Sequence, residues 1–347
     1  MLRAESRAEF RLMGVIEMEI RDMSGAPSTG MTRRQAVKAA GAALFGLAMT
    51  TGGMVSLPVR RADAYPWDSQ QVTDRTMLKA APVELREDMC SPLPDEVSFY
   101  GNPAAIKSNM KFNPELDVDT VTVGVPAGTD VSGLVVTAVY KRVGVHKEDG
   151  REVGCRITVS DMVEGSAKAI ADAGTQASFS VTGVGFCSFY NHRSTIAMRR
   201  CESVRVTETF FYADTGETVS LDGCVVTLTS LDNNEVPTAT GWRSADECCQ
   251  LPGSVRKLYF TADSCIEPDL PKSGMRSYEH AIGPVRLAEP YDSLDICKHG
   301  FSWEVVGDSV QYRFIDTVIP AGGFNVSLVP VANEIPKRPV KEVLIYG

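Results

Sequence analysis

From Val204 the chain alternates apolar and polar positions, Val204-x-Val206-x-Glu208-x-Phe210-x-Tyr212, so every second side chain falls on one face of an extended strand. The alternation stops at Ala213-Asp214-Thr215-Gly216-Glu217, where an Asp can cap its own backbone and a Gly can take a positive φ. Val219 to Leu221 and then Val225 to Leu228 follow, which predicts a returning strand and a hairpin, interrupted by a bulge at Asp222-Gly223. Other short runs rich in β-branched residues predict further strands at Thr120 to Val125, Leu134 to Val139, Arg156 to Ser160, Ala177 to Val181, Lys257 to Thr261, Ser302 to Val306, Ser309 to Asp316 and Gly323 to Val329. Gly307-Asp308 reads as a tight turn joining two of them.

Helical periodicity is nearly absent, and Asp161 to Ala173 is the one stretch that allows a short helix. Residues 65–114 carry scattered prolines and charges with no sustained apolar period, and read as an irregular lead-in or linker. Residues 115–347 then read as the folded region. Many short strands at even spacing predict an all-β fold, an antiparallel β-sandwich built as one large or two small immunoglobulin-like or adhesin-like units. No internal repeat points to a solenoid or propeller.

Ahead of this region lies an export signal. Thr32-Arg33-Arg34-Gln35-Ala36-Val37-Lys38 places an arginine pair and then Lys38 directly before an apolar stretch rich in Ala and Gly, a twin-arginine pattern. That stretch, Ala39 to Leu57, is too weakly apolar to anchor in a bilayer. Ala62 and Ala64 supply the small residues a signal peptidase needs, so residues 1–64 are expected to be a cleaved signal peptide with a long n-region. Met31 is a second candidate start. The expected location is secreted or in the cell envelope, with membrane contact only during transit.

Charge and cysteine content follow from that cleavage. Residues 1–64 hold nine of the 35 basic and six of the 44 acidic residues, so the chain from Tyr65 onward has a net charge of −12. Such a field repels phosphate backbones and anionic lipid, and on this ground nucleic acid is excluded as a partner. The arginines at 193, 199, 200 and 205 are the best local basic cluster, read as a solvated face. All nine cysteines fall after Ala64, and an oxidising exterior favours disulfides, with Cys187–Cys201 and Cys265–Cys297 as candidate pairs.

The four histidines stand in no metal-binding spacing, and neither a G-x-S-x-G elbow nor a dinucleotide loop occurs. Oxygen-rich turns are the best candidates for ion binding: Asp214, Glu217 and Asp222 around the hairpin, and Asp232 with Glu235 after the next strand. Calcium is the one cofactor these loops could hold, although Asp and Asn runs are also ordinary turn chemistry. A glycosidase would need paired carboxylates, which here would come from distant loops, Asp161 and Glu164 with Asp246 and Glu247.

The segments Thr209-Phe210-Phe211-Tyr212-Ala213-Asp214-Thr215-Gly216-Glu217-Thr218-Val219 and Thr227-Leu228-Thr229-Ser230-Leu231-Asp232 resemble the β-sandwich modules of Gram-positive surface adhesins, with their D-x-G-x-x-V turn and T-x-x-D-x-D-like strand. Leu231 stands where the first acid of the second segment is expected. The resemblance implies a surface-exposed binding or structural module. The expected function is therefore non-catalytic: an exported module for adhesion or envelope structure, binding an extracellular protein or glycan. A secreted, glycosidase-like hydrolase is the alternative. An envelope-structural protein cross-linked by disulfides or by a lysine–asparagine isopeptide bond is a third reading.

Overall fold

Strands whose alternate residues are apolar must bury one face, and here two large antiparallel sheets bury theirs against each other. The computed structural model describes residues 67–345 apart from 73–77, 87, 92, 102–106, 114–117, 174–179, 187–192, 230, 232–234, 239–240, 245–246, 262–263, 270–273, 279–297, 319–321 and 329–339. The first sheet has ten strands in the order β1 (Trp67–Val72), β21 (Val340–Ile345), β15 (Lys257–Thr261), β18 (Phe301–Glu304), β11 (Val225–Thr229), β20 (Gly323–Ser327), β9 (Arg193–Arg199), β8 (Val181–Phe186), β5 (Val118–Pro126) and β4 (Lys107–Asn113). The second has nine: β16 (Ile266–Asp269), β17 (Gly274–Ser277), β14 (Glu247–Gln250), β19 (Ser309–Asp316), β10 (Cys201–Tyr212), β7 (Glu152–Glu164), β6 (Val135–His146) and β2 (Val83–Leu85), with β3 (Glu96–Tyr100) also on β6. A separate ribbon pairs β12 (Glu235–Thr238) with β13 (Gly241–Ser244), and α1 (Ala167–Ala173) is a single short helix. The fold is an antiparallel β-sandwich, as its strand pattern predicts.

One apolar cluster fills the space between the sheets. It takes Val204, Val206 and Phe210 from β10, Ile157 and Val159 from β7, and Val184, Ile196, Leu228 and Phe324 from the opposite sheet. Aromatic rings cross it as a chain. Phe260, Phe301 and Trp303 of the ten-stranded sheet lead to Tyr312 of β19, which meets Phe324 edge-on at 5.7 Å between centroids, and Phe324 stacks on Phe314 at 4.5 Å.

Five sequence expectations need correcting. The turn after Tyr212 forms, with Gly216 N–H donating to the Tyr212 carbonyl, and the chain starts back along β10 as far as Val219, whose N–H donates to the Phe210 carbonyl, but Val225 to Leu228 does not continue that return. β11 crosses to the other sheet and lies between β18 and β20, while the partners of β10 are β7 and β19. Asp222-Gly223 is the corner of that crossing rather than a bulge, and Gly307 is a second corner, because β18 and β19 lie in different sheets. The two corners tie together: Gly307 N–H donates to Asp222 Oδ1 at 2.8 Å and Gly223 N–H to the Val305 carbonyl at 2.9 Å, with φ of 69° at Gly223 and 87° at Gly307. The helix is confined to Ala167–Ala173, since Asp161 to Glu164 belong to β7. The supposed lead-in, residues 65–114, supplies β1, β2, β3 and β4.

β5 and β8 approach closely where Gly124 faces Gly183. A Cβ at Gly183 would collide with the Val123 carbonyl and the Gly124 Cα, both of them backbone that cannot swing away. Gly183→Val should therefore lower stability by about 1–3 kcal/mol or more. A urea midpoint equal to that of the parent would show that these strands are not packed so closely.

Candidate binding face

The alternation that buries one face of the nine-stranded sheet exposes the other. On β7 the inward residues Cys155, Ile157 and Val159 leave Arg156, Thr158 and Ser160 pointing out; on β10, Arg205, Thr207, Thr209 and Phe211 point out; on β19, Ser309, Gln311 and Arg313 do. Register then aligns these residues in rows across the strands. One row runs Gln311, Thr207, Thr158, Thr137 and Ser98 across five strands, a span of roughly 19 Å at the usual strand spacing. The hydroxyls of Thr137 and Thr158 are 3.3 Å apart within it. A neighbouring row sets Arg313 opposite Arg205 and Arg205 opposite Ser160.

A β-bulge holds those arginines in place. The β7–β10 register shifts between Ser203 and Arg205, and Asp161 takes a φ of 48°, a conformation Asp tolerates better than most residues. Its carboxylate accepts from Arg205 Nε at 2.7 Å, and its carbonyl accepts from Arg313 Nη2 at 3.3 Å. Arg313 Nη2 also donates to Ser203 Oγ at 2.7 Å. Arg156 sits over the Phe211 ring at 5.6 Å, which fits because Gly154 leaves room beneath that ring. The face thus gathers the cations Lys141, Arg156, Arg205, Arg276 and Arg313 against Glu96, Asp161 and Glu267. Lys141, Arg205 and Arg276 are paired with these acids, and Glu84 and Glu152 point out of the same face, so its cations stand among carboxylates.

The residues singled out in the sequence are scattered. Of the supposed arginine cluster, Arg205 is on this outer face, whereas Arg200, at the bend between β9 and β10, lies 3.5 Å from Glu164. Asp214 accepts from Arg151 at 2.6 Å, and that hydrogen bond holds its carboxyl below the usual range; the Arg151 guanidinium in turn covers the Tyr212 ring at 3.8 Å. Glu217 closes the same turn through Thr215, while Asp222 caps Gly307 at the sandwich corner. Asp232 lies outside the described residues, and Glu235 opens β12 opposite Ser244. Among the described residues, no three His, Cys, Asp or Glu side chains converge as a metal cluster.

The candidate hydrolase acids are not brought together. Asp161 holds Arg205, and Glu164 accepts from Thr182 Oγ1 at 2.8 Å and from Gly128 N–H at 2.9 Å, whereas Glu247 is buried on β14 opposite Asp316. β14 and β7 are three strands apart, roughly 14 Å, beyond the separation of a glycosidase pair. Asp246 lies outside the described residues, as do Cys187, Cys297, Arg33, Arg34, Lys38, Ala62 and Ala64. Cys201 carries a thiol that donates to the Gly183 and Arg199 carbonyls, both at 3.4 Å, and burial pushes it up to about 12. No disulfide joins any two of the described cysteines.

The same alternation carries an ionisable group to the buried side of β10. Glu208 sits on the apolar side of the β10 alternation and is buried between the sheets. Ser194 Oγ of β9 lies 2.8 and 2.9 Å from its two carboxylate oxygens, and Tyr312 Oη of β19 lies 3.1 Å from Oε1. Burial raises the carboxyl to about 7, against the lowering effect of the Ser194 and Tyr312 hydrogen bonds.

No family model and no curated protein matches the sequence. Among solved structures, the chain is similar to the adhesin domain of PrgB from Enterococcus faecalis, with a TM-score of 0.45 and 12% identity over 78% of this chain and 95% of that one. It is also similar to the same adhesin domain bound to DNA, with a TM-score of 0.43 and 12% identity over 80% of this chain and 98% of that one. The solved domain seen bound to DNA stands against the exclusion of nucleic acid, which rested on net charge alone. The physical reason is that net charge averages over the surface, whereas binding is decided by the charges gathered on one face.

Proposed function

We propose that the chain is an exported, surface-located binding module, and that the outer face of its nine-stranded sheet takes an extended anionic polymer, with a nucleic-acid backbone as the leading candidate. The observation that carries this reading is the placement of Arg313 and Arg205 on one side, and Arg156 on the other, of the row Gln311, Thr207, Thr158, Thr137 and Ser98. Arginine forks and threonine hydroxyls are the groups that hold phosphate oxygens without reading base sequence. Export by the twin-arginine route, with cleavage after Ala64, is part of the proposal and rests on the sequence pattern. The reading calls for no bound cofactor.

A neutral glycan is a second reading, favoured by the hydroxyl row and the half-buried ring of Phe211 beside it. Fluorescence anisotropy with labelled single-stranded and duplex DNA, repeated over a salt series, separates the two. Arg156→Glu, at an exposed position, should weaken DNA binding about equally for all sequences and reduce the magnitude of the salt slope by about 1 or more. Binding that ignores salt and Arg156→Glu, or no DNA binding at all alongside glycan capture, would remove the anionic-polymer reading.

A further inference from the structure

Strand β3 leaves one edge of the nine-stranded sheet open. Among the described residues it pairs with β6 and with no other strand. Glu96, Ser98, Phe99 and Tyr100 are exposed, Phe99 by 40% and Tyr100 by 79%. Its register sets Val97 opposite Ala138 and Phe99 opposite Val136, both core residues, so Val97 and Phe99 stand at the open end of the apolar layer. Glu96, Ser98 and Tyr100 continue the hydroxyl-bearing outer face. Glu96-Val97-Ser98-Phe99-Tyr100 contains no proline and no lysine, the residues that commonly block such edges.

We propose that β3 pairs antiparallel with β3 of a second copy of this chain, about a two-fold axis at Ser98. This register is self-complementary. It sets Glu96 opposite Tyr100 of the partner strand, so the two carboxylates, each already held by Lys141 at 2.9 Å, do not face each other. It sets Val97 opposite Phe99 and closes the exposed end of the apolar layer on both copies. A slip of one residue would send Val97 and Phe99 to the solvent side and leave a strand end unpaired. One strand pair of this length covers less area than a standard stable interface, so the dimer forms at micromolar or higher concentration. Pairing joins the two outer faces into one continuous sheet surface, and a polymer that spans both copies gains avidity from the doubling.

Sedimentation velocity on the full chain, from low to high micromolar concentration, should show a reversible monomer–dimer equilibrium. Ser98→Asp places two carboxylates face to face on the two-fold axis, at an exposed position whose neighbour within the monomer is Thr137. It should abolish the dimer and leave the circular dichroism spectrum and melting temperature unchanged. Ser98→Cys should give an interchain disulfide under mild oxidation that the parent chain, with its own cysteines, does not give. A chain that is monomeric throughout overturns the proposal, and so does a dimer that survives Ser98→Asp and is not trapped by Ser98→Cys.

Discussion

Raising the pH from 4.5 to 8 should destabilise this protein by about 3 kcal/mol through Glu208 alone, and Glu208→Gln should remove that part of the loss. The sign follows from the folded carboxyl titrating at about 7 rather than at 4.5. Below 4.5 Glu208 is protonated in both folded and unfolded chains, and its burial costs no charge. Between 4.5 and 7 the folded state holds the proton that the unfolded state releases, so stability falls with rising pH. Above 7 the loss is complete, because a carboxylate then sits in the core with Ser194 and Tyr312 as its donors among the described residues. The Gln amide keeps an acceptor for Tyr312 and gives Ser194 Oγ a donor to accept from, so the variant should unfold at a higher urea concentration than the parent at pH 8 and at nearly the same one at pH 5. Parallel pH profiles for the two proteins would show that Glu208 does not titrate in this window.

That group was legible in the sequence, as were most of the strands around it. The alternation from Val204 to Tyr212 places Glu208 on the face of Phe210, and only the expectation that a glutamate belongs to solvent hid its burial. Ser309 to Asp316 predicts β19 with the bounds it has, because a strand with one buried face carries period-two alternation. β3 and β4 escaped notice for the complementary reason. Glu96-Val97-Ser98-Phe99-Tyr100 is exposed on an edge, and Lys107-Ser108-Asn109-Met110-Lys111-Phe112-Asn113 is largely polar, so their pairing rests on backbone hydrogen bonds that leave no apolar signature. The hairpin expected to continue through Val225 to Leu228 fails for a different reason. Alternation says which side of a strand is buried and nothing about which strand lies beside it, and β11 follows β10 in the chain while joining the other sheet. The candidate face depends on the same missing information. Arg205 and Arg313 are 108 residues apart, and only the β10–β19 register makes them neighbours.

Phe314→Ala should cost about 3–5 kcal/mol, a large share of the 5–15 kcal/mol that holds a typical domain together. Phe314 is fully buried on β19 and stacks on Phe324 of the opposite sheet, with ring planes 21° apart. The neighbours are themselves tied: Phe324 meets Tyr312 edge-on at 88°, and Tyr312 meets Trp303 at 67°. A ring removed from such a chain leaves a hole that these neighbours cannot fill without giving up their own contacts, so the cavity persists and its cost is near the upper end for the substitution. Phe314→Leu, which keeps most of the volume, should cost clearly less. A double-mutant cycle with Phe324→Leu should return a coupling of about 0.5–1.5 kcal/mol, the share that belongs to the stacked geometry rather than to burial. The loss should also reach Glu208, since Tyr312 both borders Phe324 and donates to the Glu208 carboxylate. With Tyr312 free to shift, that carboxylate loses a donor, and the fall in stability on going from pH 5 to 8 should be steeper in Phe314→Ala than in the parent. If urea denaturation shows a cost below about 1 kcal/mol and an unchanged pH profile, the aromatic chain does not couple the two sheets as its geometry implies.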